Sequence, residues 1–365
     1  MRRRMIRVRG QGYVSILLRV LHELKQGGTA DVFFALDLNY DQGFFYFIEK
    51  GEDNMQNDGK IVIIGAGHVG SHCAMALAWR SVCSEVVLVD IDQKKAEAQA
   101  MDVADALSFP SVKTEVRAGT YEDCADAEIV VIAVGEPRQP GQTRLDLLEN
   151  SARMLRGLIQ ELNLIEISGI VVTITNPADI AADYVRRGLQ MDRFKAFGTG
   201  TLLDTARLIR IISEETGTER SMISAFSMGE HGDSSMIPFS HISIGGQSFE
   251  AYSDLDKEKI LHQTRMSGMD IINGKNSTEF GIGQVVSQLC LCILQDKKMI
   301  LPLSVYLEGE YGQREVHCGV PCIIGRNGIE KIIELALADE EQLQLEASCE
   351  IIRKHIALAQ EAAPL

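Results

Sequence analysis

The chain has 365 residues, 45% of them hydrophobic and 24% charged, enough to bury a sizeable core in two domains or one bilobal unit. A formal charge of -15 argues against nucleic acid as the main partner, because phosphate binding needs a basic surface that this balance does not supply. The eight cysteines are spread through apolar segments without paired Cys-x-x-Cys motifs, so they read as free thiols in a reducing compartment rather than as a metal cage or a disulfide framework. No apolar run approaches the ~20 residues of a membrane span.

Residues 1–54 stand apart. MRRRMIRVRG is basic, VSILLRVLHEL has helical periodicity and FFALDLNYDQGFFYFIEKG is aromatic-rich, yet they form no recognisable unit. An organellar address fits poorly, since Asp and Glu follow soon and Ser-rich character is missing. The compositional break marks Met55, in MQNDGKIVIIGAG, as the natural start, with the upstream stretch an extension without catalytic work.

Beyond it, Lys60–Ile64 is a short β-branched strand, followed by Gly65-Ala-Gly67-His-Val69-Gly70 and a helical stretch, SHCAMALAWRSV. In such a strand–turn–helix unit Gly65 allows the tight turn, Gly67 lets the backbone approach a pyrophosphate, and Gly70 permits close helix–strand contact. The helix N-terminus adds free N–H groups and a positive dipole end. The next strand, Val86–Val89, ends in Asp90 about 20 residues after Gly70, where a carboxylate accepts hydrogen bonds from an adenosine ribose. Its charge repels a 2′-phosphate, which favours NAD over NADP.

The alternation continues with helix 93–107, strands Thr114–Val116 and Ile129–Val134, helix 145–162 and strand Ile170–Thr175. The pattern predicts an α/β fold: a doubly wound parallel Rossmann sheet over 55–198, followed by an α+β substrate and catalytic domain over 199–365. Ligands bind such sheets beyond the carboxyl ends of their strands, where Gly65, Asp90, Gly135 and Asn176 all fall.

In the second half, Gly198-Thr-Gly-Thr-Leu-Leu-Asp204-Thr-Ala-Arg207 opens a helix with Asp204 and Arg207 on adjoining faces, and Gly229-Glu-His231-Gly-Asp-Ser follows an apolar segment. A small 2-keto acid has a carboxylate to anchor, a carbonyl oxygen to polarise and a place for a proton. Arg207 offers a two-pronged guanidinium for the first. A buried Asp204 beside His231 would favour the imidazolium and fix its ring, tuning it for proton transfer near neutral pH. Singly, such residues are more often a solvated salt bridge and a structural histidine; their coincidence after a dinucleotide fold reverses that reading. Gly135-Glu-Pro137-Arg138-Gln-Pro140-Gly141-Gln-Thr-Arg144 reads as a flexible loop that closes over the crevice and brings Arg144 to the carbonyl oxygen.

From Lys60 to about Glu361 the motifs GAGHVG, PRQPGQTRLDLLEN, ITNPAD, GTGTLLDTAR and GEHGDS, in this order, resemble the L-lactate and L-malate dehydrogenase family, its bacterial lactate branch most of all. The resemblance implies proton transfer by His231, its orientation by Asp204, carboxylate binding by Arg207 and carbonyl polarisation by Arg144. It places Asn176 beside the reacting carbonyl and nicotinamide, and gives Asn150, Val69 and Thr175 to the cofactor site. A cytoplasmic homotetramer of fermentation and glycolysis is the usual member, acting on a small 2-keto or 2-hydroxy acid.

The residues expected around the substrate's far end point in two directions. The position of Arg138 is commonly Gln in lactate enzymes and Arg in malate enzymes, and an unpartnered guanidinium facing a methyl group is unfavourable. Thr278 in GKNSTEFGIG, with GEHGDSSMIPFS and TRLDLL, matches the lactate branch. L-lactate is the favoured substrate; malate dehydrogenase, a broad L-2-hydroxyacid dehydrogenase and a non-catalytic NAD-binding protein are the alternatives. Members activated by sugar bisphosphate carry Arg and His where this chain has Ile209 and Ser224, so no activation by fructose 1,6-bisphosphate is expected. Helices at 256–273, 281–297 and about 339–361, with strands near 299–306 and 320–324, complete the second half as a second α/β layer.

Overall fold

A computed structural model describes residues 59–109, 112–135 and 144–365, residues 144–147 by their backbone alone, and the backbone of three short strands nearer the start. The chain divides into two units, Met1–Gln56 and Asn57–Leu365. In the first, β1 (Arg3–Arg7), β2 (Asp31–Ala35) and β3 (Phe44–Ile48) pair antiparallel in the order β1-β3-β2. The stretch that shows no unit in the sequence thus holds a small sheet, its central strand the aromatic run FFYFI, a composition that suits a pleated surface. The helical pattern read in VSILLRVLHEL lies outside the described residues.

The second unit opens with β4 (Lys60–Ile64), α1 (His68–Trp79), β5 (Glu85–Val89), α2 (Gln93–Ala106), β6 (Glu115–Ala118), β7 (Ile129–Ile132), α3 (Arg144–Leu162), β8 (Ile170–Thr173), α4 (Ala178–Gly188) and β9 (Ala196–Gly198). The six strands are parallel in the order β6-β5-β4-β7-β8-β9. The order in which strands are added reverses between β4 and β7, so the ligand crevice of a doubly wound sheet opens there. Ile61, Val62, Ile63, Val130, Val131 and Val172 are each 0% exposed, which explains why these strands read as unbroken apolar runs: helices cover both faces.

Local strand ends change, and β8, expected to reach Thr175, stops at Thr173. The strand expected to reach Val134 stops at Ile132, because Ala133 and Val134 turn out against the glycine turn after β4. The Thr114–Val116 strand shifts to Glu115–Ala118, where it pairs with β5.

The remainder comprises α5 (Leu202–Thr216), β10 (Ile223–Ser224), β11 (Ser243–Ile244), β12 (Gln247–Ser248), α6 (Lys257–Lys275), α7 (Phe280–Leu294), β13 (Met299–Glu308), β14 (Arg314–Gly325), β15 (Gly328–Ile332) and α8 (Asp339–Ala362). It supplies the second α/β layer expected of it, but its long strands join the first sheet. Strand β13 pairs antiparallel with β9 through Ser304 and Gly198, then with β14, so the parallel sheet runs on into an antiparallel meander. Strand β14 begins at Arg314 rather than near residue 320, since its polar first residues hide a ladder that only pairing with β13 reveals. Helix α7 ends at Leu294, short of 297, because Asp296 and Lys298 take positive φ and leave the right-handed helical region.

The core under β10–β12 is separate: Leu208, Ile211 and Ile212 of α5 pack with Ile244, Phe249 and Ile260. Burying side chains of this size stabilises by roughly 1.5–3 kcal/mol each, which anchors the helix that carries Asp204 and Arg207. All eight cysteines are free and buried. Among the described residues no helix is long and apolar enough to cross a membrane.

Candidate active site

The glycine turn is specified mostly by the protein's own backbone. Gly65 has φ +108°, and a Cβ there would lie 2.6 Å from the carbonyl oxygen of Ala133. A Cβ at Gly70 would lie 1.9 Å from the carbonyl oxygen of Gly65, which enforces the close helix–strand approach expected of it. Gly67 differs, because among the described residues a Cβ there would meet nothing within 4 Å. Its bareness serves no contact among the described residues and leaves the backbone at the start of α1 open to a phosphate, so the turn fits a dinucleotide. Gly135, at the end of the β7 segment, is equally open. Val69 packs half-buried against the core from the first turn of α1.

Asp90 has a second duty that the sequence did not suggest. One of its oxygens accepts from the Ala66 N–H at 2.8 Å, the other from the Asp92 N–H at 3.1 Å, and Lys95 Nζ lies 3.2 Å from the first. The carboxylate therefore braces the glycine turn while keeping lone pairs for a ribose, and Lys95 offsets part of its repulsion toward a 2′-phosphate. Replacing Asp90 by Ser should move the NADPH-to-NADH ratio of kcat/KM upward by roughly tenfold, equivalent to about 1.4 kcal/mol. An unchanged ratio would restrict Asp90 to the turn.

At the end of β8, Thr175 is buried and its hydroxyl donates to the Val134 carbonyl at 2.7 Å, stitching the exits of β7 and β8 together. Asn176 is exposed at the crevice, its carbonyl accepting from Ser151 Oγ of α3 at 2.9 Å. Asn150 is half-buried on the same helix. Thr278 is half-buried just before α7. Arg138 lies outside the described residues, and Arg144 is described only as the first residue of the α3 backbone.

The proton-transfer candidates lie together. His231 Nδ1 lies 2.5 Å from Asp204 Oδ2, while Asp204 Oδ1 accepts from Arg207 Nη1 at 2.9 Å. One buried carboxylate thus holds the imidazole with one oxygen and the guanidinium with the other. The negative charge of Asp204 raises the His231 pKa against the opposing effect of burial, favouring the imidazolium. Burial pushes Asp204 up, but His231 and Arg207 outweigh it and hold the carboxyl below its usual range. Arg207 lies against α6, where a Cβ at Gly268 would come within 3.3 Å of Nη2, and its buried Nε has no acceptor among the described residues. A guanidinium N–H left without an acceptor among the described residues, beside a proton-bearing histidine, suits a carboxylate ligand.

Sequence reasoning missed Asp179, although it stands inside the ITNPAD motif. It is 1% exposed at the start of α4, and it accepts from the main-chain N–H of His231 at 2.8 Å and from Ser304 Oγ at 2.6 Å.

Residues 59–198 match the family described as lactate/malate dehydrogenase, NAD binding domain, and residues 201–363 match lactate/malate dehydrogenase, alpha/beta C-terminal domain. The chain belongs to the lactate/malate dehydrogenase family. Among its relatives, this dehydrogenase is 36% identical to L-lactate dehydrogenase 3 of Bacillus cereus over 305 residues, covering 81% of this chain and 96% of that one. Its identity with the L-lactate dehydrogenase of Fusobacterium nucleatum is 39%, again covering 81% and 96%. The lactate dehydrogenase MGS-M5 from a Medee basin deep-sea metagenome library superposes with a TM-score of 0.80 at 32% identity, covering 83% of this chain and 99% of that one. The ligands-bound minor L-lactate dehydrogenase of Enterococcus mundtii does so with 0.80 at 32%, covering 82% and 98%. The dehydrogenase is thus an NAD-dependent oxidoreductase.

Proposed function

We propose that this chain is an L-lactate dehydrogenase, interconverting L-lactate and pyruvate with NAD. The observation that carries the reading is the His231–Asp204–Arg207 line, which sets a proton donor next to a guanidinium whose Nε has no acceptor among the described residues. Gly65, Gly67, Val69, Gly70, Asp90, Gly135, Asn150, Thr175 and Asn176 would hold the cofactor, which when bound supplies or accepts the hydride. His231 gives its proton to the keto oxygen in one direction and takes it back in the other, and Asp204 stabilises the imidazolium and keeps Nδ1 engaged so that Nε2 does the exchange. Arg207 orients the substrate carboxylate. Arg144 polarises the carbonyl, Asn176 flanks it, and Thr278 and Arg138 line the substrate's far end. On this reading 55–198 is the cofactor half and 199–365 the catalytic half, in a cytoplasmic homotetramer serving fermentation and glycolysis.

Arg138 favours a second reading, because a guanidinium at that position suits the second carboxylate of oxaloacetate. Initial rates of NADH oxidation with pyruvate, oxaloacetate and 2-ketoisocaproate separate the two. Pyruvate should have the highest kcat/KM, and Arg138→Gln should move the ratio further toward it. A preference for oxaloacetate of more than about tenfold, or ~1.4 kcal/mol, would assign the malate activity instead.

A further inference from the structure

The loop that carries His231 is tied down at the main chain by three separate elements. Gly229 exchanges two backbone hydrogen bonds with Gly319 of β14, the Glu230 N–H donates to Ser348 Oγ of α8 at 2.8 Å, and the His231 N–H donates to Asp179 of α4. The first two ties are made by neutral groups. The third is made by a carboxylate that is 1% exposed, and its other oxygen is satisfied by the Ser304 hydroxyl. A neutral amide acceptor would hold the same N–H without the desolvation of an anion, so the charge asks for a reason.

We propose that Asp179 is a positioning residue for proton transfer: its carboxylate fixes the main chain of His231 and sets a second negative charge beside the imidazole that Asp204 already holds. The inference rests on the reading of His231 as the proton-transfer group. Among the described residues the groups facing this pair are few. Asp204 and Arg207 come from α5, Glu230 from the same loop, Ser304 from β13 and the Cys318 thiol from β14. Glu230 is engaged by the Ser234 hydroxyl at 2.5 Å and lies 3.9 Å from His355 Nδ1. The Asp179 charge raises the His231 pKa in the same direction as Asp204, with Arg207 opposing.

Burial pushes Asp179 up to about 6. A carboxyl whose folded pKa lies above its unfolded value favours the folded state below the unfolded pKa, and that contribution is lost as pH rises through about 6. At neutral pH the charge therefore costs the fold stability and serves the histidine. This separates the proposal from a merely structural role, in which removing the charge would only weaken the protein.

Asp179→Asn keeps an acceptor for the His231 N–H and offers its amide to Ser304, so geometry is retained and charge removed. Titration of His231 is followed by NMR with isotope-labelled histidine in the NADH complex, without substrate, its signal assigned by loss in His231→Asn. The expected result is a His231 pKa lower by roughly half to one unit, with a Tm near pH 7.5 equal to or above the parent's. The alkaline fall of kcat/KM for pyruvate reduction should move down in pH by the same amount. An unshifted His231 titration in a folded variant would overturn the proposal. Should the asparagine variant not fold, Ser304→Ala, which strips one hydrogen bond from the carboxylate and favours its neutral form, is read in the same way: a lowered His231 pKa supports the proposal and an unchanged one overturns it. Failure of the underlying reading looks different, as parent-like turnover in His231→Asn.

Discussion

His231→Asn is expected to lower kcat for pyruvate reduction by about 10²–10⁴, the usual worth of a positioned general acid, while NADH binds as in the parent. Asparagine is smaller than the imidazole but places its amide nitrogen near the Nδ1 position, where it can still meet the Asp204 carboxylate, so the fold has little reason to change. What it lacks is a group that gives and takes a proton near neutral pH. Asp204 keeps His231 protonated above its ordinary range, so the parent's kcat/KM for pyruvate should be level at lower pH and fall as pH rises through the raised His231 pKa. Lactate oxidation, which needs the neutral ring, should show the opposite limb. Both limbs should vanish in the variant. Fluorescence titration with NADH and steady-state kinetics measure the two halves of this expectation, and turnover within a few-fold of the parent would remove His231 from the mechanism.

Arg207 should fail differently. Arg207→Lys keeps a positive charge for Asp204 but loses the planar fork, and Arg207→Leu loses both prongs. A hydrogen bond to a charged group contributes about 1.5–3 kcal/mol, so one lost prong should raise the pyruvate KM by roughly tenfold to a hundredfold. The leucine variant should raise it by about 10²–10⁴ and should also weaken the fold, since Asp204 is then buried with His231 alone to balance it. The rise in KM should exceed any loss in kcat for lysine, the reverse of the His231 result, because the carboxylate contact is made in the ground state as well as in the transition state. An Arg207→Lys enzyme with an unaltered KM for pyruvate would mean that the carboxylate is anchored elsewhere.

These two outcomes test different depths of what a chain of residues specifies. The sequence by itself determined the parallel sheet, because strands covered on both faces must be continuous apolar runs such as KIVII and IVVI. It also pointed to the dinucleotide turn, where Gly70 is demanded by the backbone of Gly65 five residues back although Gly65 itself is demanded by Ala133 beyond β7, and it singled out His231, Asp204 and Arg207 as candidates, because few residue types can move a proton or grip a carboxylate. Only the tertiary structure decided that Asp204 serves both partners at once, that Asp90 braces the turn it was expected merely to face, and that β13 prolongs the same sheet rather than founding another. The same is true of Asp179, which stands in a motif already in view but reaches His231 across 52 residues of sequence. Local periodicity reports which face of an element is apolar. It does not report which distant backbone group a buried carboxylate will meet, since that depends on how β13, α4 and the His231 loop pack once the sheet has closed over its core.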